Sequence, residues 1–145
     1  MFGSAPRGAG AYARVGVETG VYAASPHQLI VMLYDGAIAM INDGMREMAA
    51  GNVAAKGRAL SRAIAIVSDG LRVSLDKSVG GELAHTLDAL YAYIVEQLVY
   101  ANRQNDSAKL SEASRILSEL RSAWRAIDTQ AAPPVPTEAA VASTA

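Results

Sequence analysis

From residue 110 to residue 127 the apolar side chains fall in steps of three and four: Leu110, Ala113, Leu117, Leu120, Trp124 and Ile127. Only an α-helix brings residues at that spacing to one face, and the alternation is that of helices packed in a bundle. Between them lie Ser111, Glu112, Arg115, Ser118, Glu119, Arg121 and Arg125, so the opposite face is polar. Such a helix draws most of its stability from burying its apolar stripe. The rest of the chain must therefore supply partners for it.

Three further stretches do so. Ser25, Pro26 and Gln28 place a capping serine, a proline at the first helical position and a glutamine at the third, which is a capping-box pattern. Leu29, Ile30, Met32, Leu33, Ala37, Met40, Ile41 and Met48 then share one helical face. A helix is predicted over 26–50, ended by Gly51, with Asn52 placed to cap the next. The second helix is predicted over 53–75, with Leu60, Ile64, Val67, Leu71 and Leu75 as its seam. Residues 76–81 form a turn around paired glycines. The third helix is predicted from Glu82 to about Asn102, with Leu83, Leu87, Leu90, Ile94, Leu98 and Ala101 inward. Asp106 is placed to cap the fourth. Helices of similar length with short links are antiparallel neighbours, so the fold class read here is all-α, an antiparallel four-helix bundle at residues 25–127. Residues 1–24, rich in Gly and Ala, are read as a flexible N-terminal arm. Residues 128–145, with Pro133, Pro134 and Pro136, are read as a disordered tail.

Function classes fall away on inventory. Thirteen basic residues against fourteen acidic ones give a net charge of −1, with no basic stripe for nucleic acid. The absence of cysteine excludes disulfides and thiolate metal sites. The start lacks a signal-peptide core, and no apolar run approaches the ~18 residues that cross a bilayer. The chain is read as cytosolic, with no membrane insertion. Only His27 and His85 are present. No GxSxG nucleophile motif or phosphate loop accompanies them. Glu82 and His85 have the Glu-x-x-His spacing of di-iron bundles, but such sites need a second motif, and Ala24 stands three residues before His27. No enzyme, no cofactor and no metal are expected.

What remains is apolar surface beyond a core's needs. Tyr91, Val95 and Val99 flank the seam of the third helix, with Tyr93 and Tyr100 roughly opposite, while Ile66 and Val73 sit off the seam of the second. Part of this is ordinary burial. Isolated large residues beside Ala59, Ala63 and Gly70 also suit a groove for an amphipathic helix.

The chain resembles the flagellar export chaperone FliS family. The resemblance lies in YARV at 12–15, ASPHQLI at 24–30, MLYDGA at 32–37, Lys56 with Gly57 and AIAIV at 63–67. It continues through Leu75 with Asp76, GGELA at 80–84, LYAY at 90–93, Ala101 with Asn102, and Ala123 with Trp124. The pieces run in order over nearly the whole predicted fold. The resemblance implies a four-helix bundle that binds the disordered C-terminal segment of flagellin in the cytosol. It implies that binding prevents premature polymerisation and assists delivery to the flagellar type III export apparatus. The export gate and flagellar regulators are further partners it suggests, with the chaperone a monomer or weak homodimer. Carried onto this sequence, the partner-binding residues are Tyr12 and Val15 in the arm; Ile64, Ile66, Val67, Leu71 and Val73 on the second helix; and Leu87, Tyr91, Ile94, Val95 and Leu98 on the third. Core and groove residues are not separated within that set. Gly36 is read as a close-approach position, Asp35 as a hydrogen-bonding partner of another helix or the arm, and Trp124 as a core anchor. The alternative reading is a helical-bundle adaptor for another secretion client or a flagellar regulator.

Overall fold

The structure, a computed structural model, describes residues 25–131. The expectations for the arm, including Tyr12 and Val15, and for the tail beyond residue 131 lie outside the described residues. Four helices follow one another: α1 (Pro26–Ala50), α2 (Val53–Ala65, wound on as a π-helix over Ile66–Arg72), α3 (Lys77–Gln104) and α4 (Ser107–Ala131). No strand occurs among the described residues. Each helix packs on its neighbours in chain order and α4 closes back on α1, giving the antiparallel four-helix bundle.

Local chemistry sets the boundaries. Ser25 accepts from the Gln28 backbone and Gln28 from that of Ser25, completing the capping box. Gly51 ends α1 at φ +79, a left-handed conformation that glycine adopts without penalty. Asn52 precedes α2 but its side chain caps nothing there; it donates to Glu47 instead, at 2.7 Å. Asp106 accepts from the backbones of Ala108 and Lys109, at 3.1 and 3.3 Å, and so caps α4.

The core holds Leu33, Tyr34, Ala37 and Ile41 of α1 against Leu60, Ala63, Val67 and Leu71. Tyr91, Ile94, Leu98 and Ala101 of α3 and Leu110, Ala113 and Leu117 of α4 complete it. The α1–α2 pair approaches closely through small residues. A Cβ on Gly44 would come within 2.8 Å of Leu60 Cγ, and one on Gly36 within 3.3 Å of Ile66 Cδ1.

Several expectations are corrected. The second helix does not run regularly to residue 75; it widens into the π turn and stops at Arg72. The predicted turn at 76–81 is already helical from Lys77, with a break at Gly81 (φ 58, ψ −132). The buried line of α3 runs through Ala84, Tyr91, Ile94, Leu98 and Ala101, so Leu83, expected inward, lies beside that line and is 67% exposed. Tyr91, expected on a flank, is a core residue. At the other end of the seam Ile127 is 53% exposed, and α4 runs past the expected boundary to Ala131.

Candidate functional site

The two ends of the bundle are built differently. At one end two short links join α1 to α2 and α3 to α4. Lys56, only 5% exposed, donates from Nζ to the Asn102 carbonyl oxygen at 2.8 Å and to Asn105 Oδ1 at 2.6 Å. Its charge thus lies on the carbonyl end of α3, where the helix dipole favours a cation. Asn105 turns the chain with φ +54, a conformation asparagine tolerates better than most residues.

At the other end α1 begins, α4 finishes, and the 73–76 link leads from α2 into α3. Between them opens an apolar cavity of about 260 Å³. Ile30 of α1 and Trp124 of α4 line one side, and Leu71, Ser74, Leu75 and Asp76 another. Gly80, Leu83, Ala84, Leu87 and Tyr91 of α3 complete it. The break at Gly81 lies at the edge of this site, where small Ala84 is buried and Leu83 stands exposed at the rim.

Beneath the cavity the buried Tyr34 and Tyr91 hydroxyls share a short hydrogen bond. Burial raises the pKa of both phenols. Hydrogen bonds from Tyr91 and the Trp124 indole partly offset this for Tyr34. Both hydroxyls therefore stay neutral and serve to join α1, α3 and α4. Outside the cavity, Arg121 and Arg125 of α4 donate to Asp35 Oδ1 of α1 at 2.7 and 3.4 Å, as the reading of Asp35 anticipated. Arg72 binds Asp88 through Nε at 2.9 Å and Nη2 at 3.3 Å. That pair is partly screened by water, and it raises the Arg72 pKa mainly through the hydrogen bond.

The sequence-predicted residues divide among different places. Leu71, Leu87 and Tyr91 meet at the cavity. Val67, Ile94 and Leu98 are buried core residues, out of a partner's reach in the closed bundle. Ile64 is half-buried against that core. Ile66 lines a separate shallow cleft with Gly36, Ala39, Met40, Arg62 and Ala65. Val73 is exposed in a cleft beside Arg72 and Asp88. Val95 borders a cleft with Val99, Tyr100 and Lys109.

Sequence reasoning missed Ile30, Ser74, Leu75, Asp76, Gly80, Leu83, Ala84 and Trp124 as cavity residues. Ile30 and Trp124 were visible as apolar positions at helix ends that converge in an antiparallel bundle. The link residues carried no signal before α2 was known to stop at Arg72. Trp124, read as a core anchor, is half-buried and lines the cavity. Among the described residues no group of three or more His, Cys, Asp or Glu is placed to hold a metal ion. Among the described residues no helix is long and apolar enough to cross a membrane.

Comparison with known proteins adds a relationship to this geometry. The family described as flagellar protein FliS matches residues 8–131. The chain is 45% identical over 121 residues to the flagellar secretion chaperone FliS of Salmonella typhimurium, covering 83% of this chain and 90% of that protein. It is 40% identical to the protein of the same description from Escherichia coli, over 83% of this chain and 89% of that one. The Bacillus subtilis counterpart is 29% identical over 108 residues, 74% of this chain and 79% of its own length.

Proposed function

The chain belongs to the flagellar protein FliS family, and from that membership we propose that it is a cytosolic flagellar secretion chaperone whose client is the disordered C-terminal segment of flagellin. The observation that carries the reading is the apolar cavity at the open end, walled by Ile30, Leu75, Leu87 and Trp124 and floored by Tyr91. Such a cavity suits an apolar side chain of an amphipathic helix.

Segments that pair as helices in a filament carry apolar faces that promote assembly. Covering those faces in the cytosol blocks polymerisation until the client is passed to the type III export apparatus. A disordered client loses ordering entropy on binding, yet it can wrap a large surface. The Ile66 cleft and the Val95 face lie on other sides of the bundle, within reach of a segment that winds around it. Tyr12 and Val15 of the arm join the proposed binding set through the matched YARV motif.

The test is calorimetric titration of the full chain with a peptide carrying the C-terminal segment of the same organism's flagellin. Saturable one-to-one binding with a negative heat-capacity change is expected. Leu83→Asp, at an exposed cavity position, weakens it about tenfold or more with helicity intact. Failure to bind both the peptide and monomeric flagellin would sink the reading and favour an adaptor for another secretion client or regulator.

A further inference from the structure

Trp124 is the single tryptophan of the chain and a wall of the cavity, yet it stands near the end of α4 and is only half-buried. A contact from the first turn of α1 holds it. His27 sets Nε2 2.5 Å from the Trp124 carbonyl oxygen. Its ring lies 4.9 Å from the indole, tilted by 53°. A carbonyl only accepts, so Nε2 carries the hydrogen and donates. The indole, whose N–H only donates, lies near enough to Tyr34 to lower its pKa against burial, and Tyr34 meets Tyr91 in the cavity floor. Four side chains from three helices therefore run in one connected chain behind the cavity, with His27 at its outer end.

From this geometry we infer that His27 is a positioning residue: it holds the Trp124 ring in the wall that receives an apolar side chain of the client. The client half of the inference rests on the chaperone reading above; the positioning half rests on the His27–Trp124 contact alone. His27 acts in two ways, by donating to the carbonyl and by lying against the indole. Variants separate them. Gln keeps an N–H donor without the ring, and Phe keeps a ring without the donor.

Because Trp124 is the only tryptophan, its emission reports this wall directly. The full chain and its His27→Ala, His27→Phe and His27→Gln variants are compared by fluorescence, acrylamide quenching, circular dichroism and titration with the flagellin C-terminal peptide. With helicity retained, His27→Ala is expected to shift Trp124 emission to the red, raise quenching and weaken peptide binding about tenfold. His27→Phe and His27→Gln each recover part of the emission and the affinity. Wild-type emission in His27→Ala overturns the inference, and so does weakened binding with unchanged emission. Should His27→Ala unfold, the other two variants decide. A red shift paired with weaker binding in either sustains the inference, and wild-type behaviour in both overturns it. A wild-type chain that ignores the peptide counts against the proposed client; the emission spectra then test the positioning on their own.

Discussion

The Tyr34 and Tyr91 hydroxyls meet in the bundle's interior, where burial favours the neutral phenol. Both pKa values are raised above the ordinary 10.0, and the sign of the consequence follows. An unfolded phenol releases its proton at about pH 10, whereas the folded one keeps it, so above that pH the native state binds more protons. Stability conferred by the pair is fully present below about pH 10 and is lost as pH rises beyond it, by up to about 1.4 kcal/mol per pH unit for each phenol. Urea titrations at pH 8 to 11 check this, and Tyr34→Phe/Tyr91→Phe should flatten the alkaline fall. At neutral pH, Tyr91→Phe costs about 1 kcal/mol, the net worth of the Tyr34–Tyr91 hydrogen bond. The double variant should cost less than the sum of the singles. Gly44 fails differently on substitution. Its absent Cβ leaves the space that Leu60 fills, so Gly44→Ala overpacks the α1–α2 contact and should destabilise by about 1–3 kcal/mol in the same titration. Residue chemistry of this kind was only partly legible in the sequence. Asp35 and Gly36 read correctly because an acid and a glycine on an apolar face leave few roles. Tyr91 did not: read as flanking the seam, it lies in the core, where its hydroxyl meets that of Tyr34, 57 residues away.

At the scale of the element, α1 was readable to the residue because both of its ends carry local signals, the capping box and Gly51. α2 was not. A three-four pattern over Leu60, Ile64, Val67 and Leu71 matches an α-helix, yet the segment turns π from Ile66, where each turn takes up extra residues. Packing against α1 favours that register, for Gly70 lies where a Cβ would meet Leu33 at 3.2 Å. α3 shows the complementary case. Its paired glycines read as a turn, but the backbone forms a helical turn, breaks at Gly81 and resumes. The φ and ψ of Gly81 belong to a region open to glycine and strained for other residues. Gly81→Ala should therefore cost about 1–3 kcal/mol in thermal or urea unfolding. It should also weaken the flagellin peptide, because Gly81 stands between Gly80 and Leu83, both in the cavity lining. A Gly81→Ala chain with wild-type stability and affinity would mean that the break contributes nothing to the site.

Across the whole molecule the antiparallel order assigns different tasks to the two ends. At about 1.5 Å per residue, the length of α1 separates the end tied by Lys56 from the end bearing the cavity. The first joins helices through short links and a buried cation held by α3 and its following turn. The second leaves all four helices and the 73–76 link to surround an apolar hollow. The bundle itself was legible from periodicity, because helix spacing and short links decide it. The asymmetry was not, because it depends on where α2 stops and on which carbonyl faces Lys56. That asymmetry separates stability from binding. Lys56→Met keeps the side chain's length but removes both donations, leaving the Asn102 carbonyl and the Asn105 amide oxygen without that partner, and should cost about 2 kcal/mol of folding stability. Since Lys56 lies at the far end, peptide affinity measured well below the melting temperature should stay within about twofold of wild type. Leu83→Asp should do the reverse, sparing the melt and abolishing much of the binding. If Lys56→Met weakened the peptide as strongly as Leu83→Asp, the Lys56 end would contribute to binding as much as the cavity, and the separation of stability from binding would fail.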